Sequence, residues 1–214
     1  MSQGQPKATP PSDYQVILPE GWFRILLDPK DRDACIDALI ERQFQGVDNA
    51  PHLKGEVRRD MRRRAAKAYR IGGIALYLSL QSIGPLTIPA SMLVSLTPIP
   101  QPGALPLQAL ADSLVVSCGR PEEGERSDDG GADRKICIRH LPAGGAVRVQ
   151  RWTSLPESVA GADQGLRSLI VEYHIPVPRA RAILLLTFST PLEFLAEAMS
   201  ELFDAVAASL NWTD

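Results

Sequence analysis

From Ile71 to Ala111 the chain carries no charged side chain. A run like that ends in a bilayer or inside a sheet, and its breakers and its period decide between the two. A spanning helix needs about 20 apolar residues without strong breakers. Here Gln81, Gly84-Pro85 and Pro89 interrupt the run. The period is also that of a strand. Ile74, Leu76, Leu78 and Leu80 alternate with Ala75, Tyr77 and Ser79; Leu86, Ile88, Ala90, Met92 and Val94 alternate with Thr87, Pro89, Ser91 and Leu93. That alternation describes two half-buried strands with a turn near Ile83-Gly84-Pro85. Pro89 has no amide hydrogen and predicts an edge or a bulge in the second strand. No membrane span is expected.

The flanks supply helices and further strands. Residues 1–13 mix Pro, Gln, Ser and Gly without apolar periodicity, which predicts a disordered tail. The tail also lacks the apolar stretch of a secretory signal peptide, so a cytoplasmic location is expected. After the extended run YQVILP and WFRILL, Asp28-Pro29-Lys30-Asp31 combines a capping side chain, a first-turn proline and an acid at the positive end of the dipole. A helix follows to about Phe44, with Cys35, Ile36, Leu39, Ile40 and Phe44 on its apolar half and Gly46 as its stop. PIPQPG (98–103) is a connection, residues 106–114 a short helix and 115–118 a possible strand. The segment 119–134 reads as a mobile acidic loop. KICIRHL and AVRVQRW form a hairpin turning at 142–145. Leu169, Val171, Tyr173 and Ile175 define one face of another strand, and AILLLTF (182–188) is apolar on both faces, as a central strand requires. Thr190-Pro191-Leu192-Glu193 predicts a capped terminal helix. Its apolar face is Leu192, Leu195, Met199, Leu202, Phe203, Val206 and Leu210, and Glu193, Glu197, Glu201 and Asp204 form an acidic stripe. This order makes an α+β chain, with a mostly antiparallel sheet of about six strands packed between helices in a single domain, 14–214.

One helix breaks the even spread of charge. Residues 52–71 carry Lys54, Arg58, Arg59, Arg62, Arg63, Arg64, Lys67 and Arg70 against Glu56 and Asp60, a local +6 in a chain of net charge −2. On a helical wheel Leu53, Val57, Met61, Ala65, Ala68 and Ile71 share the apolar face, and only Arg64 projects from it. Two uses compete: a solubilising face paired with acids such as the Glu193–Asp204 stripe, or a surface for a partner protein of acidic complement. Nucleic acid is disfavoured, since aromatic interleaving and binding motifs are missing. The candidate partner-binding residues are Arg58, Arg59, Arg62, Arg63, Lys67 and Arg70, together with Trp152, which ends a hairpin strand beside a polar linker. Trp22 and Trp212 are expected to cover one core edge.

Motifs of chemistry are sparse. Gly72-Gly73 and Gly144-Gly145 lack the spacing of phosphate-binding loops, and G-x-S-x-G does not occur. Cys35, Cys118 and Cys137 are too few for a disulfide scaffold or a four-ligand zinc site. The acids of 119–134 lack the order of a calcium loop. No catalytic residue, cofactor or metal is therefore expected. The alternative to partner binding is an enzyme or small-molecule site near His140 and His174, where neighbouring strands would let Cys137, His140, Glu172 and His174 converge.

The opening YQVILPEGWFRI resembles the apolar strand followed by Pro-x-Gly-Trp of PsbP-type proteins. The closing LLLTFSTPLEFLAEAMSELFDAVAASLNW is similar to the last strand and helix of that superfamily, which includes the nuclear Ran-release factors and some bacterial lipoproteins. The resemblance covers about forty residues at the two ends and the order of elements between them. It implies an α/β/α sandwich and a non-catalytic role in binding or stabilising partners. The basic helix and the acidic loop depart from the pattern. In compositional style the chain also resembles proteins of high-GC actinobacteria, which implies no function.

Overall fold

The computed structural model describes residues 9–45, 51–79, 82–83, 86–99, 106–117, 134–154 and 167–213. Its frame is a seven-stranded sheet in which every neighbouring pair is antiparallel. The strands are β2 (Trp22–Leu26), β3 (Gly73–Ser79), β6 (Ser91–Pro98), β7 (Lys135–Leu141), β8 (Gly144–Ser154), β9 (Arg167–Pro176) and β10 (Ala182–Thr190), in the spatial order β2-β3-β6-β10-β9-β8-β7. The two halves of the charge-free run, β3 and β6, pair as read from their alternation, and the two-residue strands β4 (Ser82–Ile83) and β5 (Leu86–Thr87) form a minor hairpin between them. β1 (Asp13–Gln15) pairs with β11 (Asn211–Thr213), so Asp13, assigned from composition to the tail, is part of a ladder. Residues 1–8 of the tail and nearly all of the acidic loop, like Gly46, lie outside the described residues.

Each face of the sheet has its own cover. On the inner face, α4 (Ala196–Ala208) buries Met199, Phe203, Val206 and Ala207 against Val171, Tyr173, Leu184, Leu186 and Phe188. The Phe188 and Phe203 rings stack with centroids 4.8 Å apart, and Tyr173 meets Phe188 edge-on. Trp22, Trp152 and Trp212 pack around this core. On the outer face, α1 (Pro29–Gln43) and α2 (Pro51–Arg70) lie over β2 and β3, and α3 (Leu107–Ser117) lies over β7 and β8. The Asp28 side chain accepts a 2.9 Å hydrogen bond from Lys30 N, and Ile36, Leu39 and Ile40 are buried, as the start signal and periodicity predict. Gly72 and Gly73 allow α2 to turn directly into β3. Gly72 has φ of +90°, and a Cβ on either glycine would stand 2.7 Å from a carbonyl oxygen, that of Leu96 or that of Ala68.

The α+β sandwich is therefore as expected, with one more strand than foreseen, and three local readings are corrected. Pro89 marks no edge: it precedes β6, which lies inside the sheet, and its carbonyl accepts a 2.9 Å hydrogen bond from Thr190 Oγ1. Val115 and Val116 continue α3 and form no strand, because Leu107, Leu110, Ala111 and Leu114 already anchor that helix on β8. The terminal helix starts later than its cap signal. Thr190 is the last residue of β10, and a 3₁₀ turn (Glu193–Leu195) separates it from α4.

Candidate partner-binding surface

The charges of α2 divide by helical position into three groups with different surroundings. Arg58 and Arg62, four residues apart, face α1. Arg58 Nε donates to Asp37 Oδ1 at 2.8 Å and approaches Glu41 at 3.7 Å; Arg62 Nη2 donates to both Asp37 oxygens at 3.0 Å and lies 3.8 Å from Asp33. The acids that answer this flank thus come from α1, where the sequence had suggested the Glu193–Asp204 stripe. On the opposite flank Asp60 accepts from Arg63 and from Arg64 Nε. The apolar face is correspondingly narrower than the wheel implied. Ala65 is buried, and Val57, Met61 and Ala68 pack against the cluster it forms with Ile25, Leu27, Ile36, Leu39 and Ile40. Arg64 does not cross this face; its side chain is 64% exposed.

The third group faces solvent. Arg59, Arg63, Lys67 and Arg70 follow one another at spacings of four, four and three, which aligns them along one side of a helix. All four are exposed, and among the described residues Arg59, Lys67 and Arg70 pair with no acid. Of the candidates read from the sequence, the structure brings these four together and commits Arg58 and Arg62 to the α1 contact. Trp152 is not part of this surface. It packs half-buried against the inner core, with the Arg167 guanidinium 5.2 Å from its ring centroid.

The histidine region does not assemble as a site of four residues. Neighbouring side chains on a strand point to opposite faces, so Cys137, paired with Arg148, lies on the inner face, and His140, paired with Gly145, on the outer. Both are exposed. Glu172 and His174 do share the outer face of β9. Glu172 accepts from Arg151 Nη2 at 3.1 Å, and its other oxygen lies 3.7 Å from His174 Nε2, a buried nitrogen with no hydrogen-bond partner. Burial alone would raise the Glu172 carboxyl, but His174 and Arg151 outweigh it and hold it below its ordinary value. Among the described residues, no group of three or more His, Cys, Asp or Glu side chains is placed to hold a metal ion.

A polar cluster that sequence reasoning missed lies beneath α4. Arg148 of β8 is 5% exposed. Its Nε donates to Asp204 at 2.8 Å and Tyr173 at 3.2 Å, Nη1 to Gln150 at 3.0 Å and Nη2 to Ser200 at 2.6 Å. The Tyr173 hydroxyl also donates to Asp204. Burial would lower the Arg148 pKa, but the bonds to Asp204 and Tyr173 outweigh it and raise it; burial and Asp204 together push the Tyr173 phenol well above its ordinary value. Arg148 therefore stays charged and Tyr173 neutral, and the shared bonds to Asp204 and Ser200 suit the cluster to docking α4 in a single register. The signal available in the sequence was the pair Ser200 and Asp204, one helical turn apart on the side of α4 next to its apolar face.

No family model matches the chain, and no curated protein matches it. Among solved structures, the chain is similar to the crystal structure of the Ran-binding protein Mog1p of Saccharomyces cerevisiae, with a TM-score of 0.37 and 11% identity over 65% of this chain and 79% of that one. It is also similar to the solution structure of cyanobacterial PsbP (CyanoP) from Synechocystis sp. PCC 6803, with a TM-score of 0.34 and 13% identity over 93% and 86%. At these scores the likeness transfers no residue and no activity. Among the described residues no helix is long and apolar enough to cross a membrane.

Proposed function

We propose that this chain is a non-catalytic partner-binding protein that docks an acidic protein surface on the solvent side of α2, through Arg59, Arg63, Lys67 and Arg70. The observation that carries the reading is the division of charge along that helix. Arg58 and Arg62 have acids supplied by α1, whereas the outward stripe has only Asp60 beside Arg63. A row of like charges costs stability through self-repulsion and gains most from an external acid. The test is charge reversal where packing is not involved. Arg59→Glu, Lys67→Glu and Arg70→Glu together should leave the melting temperature nearly unchanged, because exposed sites usually shift stability by within about 0.5 kcal/mol each. Affinity capture from the native cell should then lose the protein retained by the wild type, and that retention should weaken with salt. Equal capture by both forms would end the proposal.

A further inference from the structure

Among the described residues the outer helical layer has a gap. From β3, under α2, to β8, under α3, the sheet advances four strand spacings, or roughly 19 Å at about 4.8 Å each. Packed helices stand about 8–10 Å apart, so this distance holds one more helix between α2 and α3. The described residues place none there; β9 and β10 receive their helix, α4, on the inner face. The floor of the gap is formed by Ile170 of β9 and Leu185 and Thr187 of β10, all half-buried, beside the Glu172–His174 pair.

One wall of the gap bears apolar side chains left without cover. Arg58 and Arg62 fix the α1 side of α2, so the opposite flank faces the middle of the sheet. Leu53, Asp60, Arg64 and Ile71 recur along that flank at helical spacing. Leu53 and Ile71 belong to the apolar pattern of α2, yet they are 50% and 67% exposed. Lys67 adjoins this flank, and α2 as a whole retains excess positive charge once the α1 acids are counted.

We infer that the gap between α2 and α3 is a groove for an amphipathic helix of a partner protein, with apolar residues toward Ile170 and Leu185 and acidic residues along the edge that meets α2. This deepens the partner-binding reading and rests on it, naming the form and chemistry of the segment that binds. Helix-in-groove recognition takes anchors at helical spacing, and Leu53 and Ile71 supply a matching apolar rim. The charge of α2 selects an acidic occupant and disfavours a second copy of this chain, which would set Lys67 and Arg70 against like charge on the same surface.

The experiment uses the full chain and a phage-displayed library of 18-residue helices with one randomised face. Selected helices should carry Leu, Ile or Phe at helical spacing with Asp or Glu on one edge. They should shift the methyl resonances of Ile170 and Leu185, and Leu53→Asp with Ile71→Asp should weaken them at least about tenfold, the scale of exposing one large apolar contact. Thr187→Trp, which fills the floor, should do the same with folding checked by melting. Absence of selected helices, selection without acids, or binding that leaves Ile170 and Leu185 unmoved would overturn the groove. So would anionic phosphatidylglycerol vesicles binding where helices do not, or a dimer dissolved by Leu53→Asp with Ile71→Asp. If native capture is lost on reversal of Arg59, Lys67 and Arg70 but survives the Leu53/Ile71 change, partner binding stands and the groove fails. If capture ignores the charge reversal, the partner-binding reading fails first.

Discussion

Arg148 and Arg151 sit three positions apart in one strand, and alternation alone places them on opposite faces without saying which face is dry. The answer lies in α4, 52 residues or more downstream, where Ser200 and Asp204 face the strand that carries Arg148. Asp204→Ala therefore leaves a buried guanidinium short of its charged acceptor. The cost should be about 1.5–3 kcal/mol, the worth of a hydrogen bond to a charged group, toward the lower end because Asp204 is 37% exposed. Urea unfolding checks this, and a loss below about 0.5 kcal/mol would show that water replaces the carboxylate. Glu172 offers a pH test. Its folded pKa is depressed, so its contribution to stability is present above the unfolded value, about 4.3, and is lost as pH falls through the folded one. Glu172→Gln should be less stable than wild type near neutrality, and the difference should close as pH falls from about 4.3 toward 3. A difference that holds constant over that range would remove Glu172 from the acid response.

At the scale of the element, α1 and α2 form a unit with an apolar seam and an ionic margin. Arg62→Glu would bring a third carboxylate to Asp33 and Asp37 and should cost on the order of 1 kcal/mol; Asp37→Arg in the same chain should recover only part of it, because Arg58 loses the same acceptor, and a double-mutant cycle measures the coupling. Arg64→Glu, on an exposed flank, should cost less than Arg62→Glu, the reverse of the order that the wheel implies. Stabilities from urea unfolding in any other order would mean that the margin is not made by these pairs. The elements themselves were legible wherever periodicity ran long: β3, β6, β9, β10 and the helices α1 and α2 follow from alternation, caps and the basic run. Short segments failed. Val115 and Val116 are β-branched and suggest a strand, but the four anchors preceding them extend α3. Thr190 signals a cap, but β10 claims it first. The candidate surface was half legible: the wheel separates basic from apolar positions, whereas only the structure shows that α1 neutralises Arg58 and Arg62.

For the whole molecule, the order of layers follows from sequence: a sheet with apolar faces takes helices on them, and the chain supplies helices before and after its strands. Strand order does not follow, because β6 and β10, far apart in sequence, become neighbours only through the register Leu186–Val94 and Phe188–Met92. The pairing of β1 with β11 closes this arrangement, and it has a mechanical side. The ladder runs Asp13–Thr213, Tyr14–Trp212, Gln15–Asn211, with Ser12 N bonded to Thr213 O at its outer limit. Because the strands are antiparallel, tension drawn through the residues before Asp13 and after Thr213 pulls on one end of the ladder and loads its hydrogen bonds singly. The seam peels like a zip, at forces well below those that would shear the central strands, so a tether on both ends would free Tyr14 and Trp212 from the rim of the core while the seven-stranded sheet stayed intact.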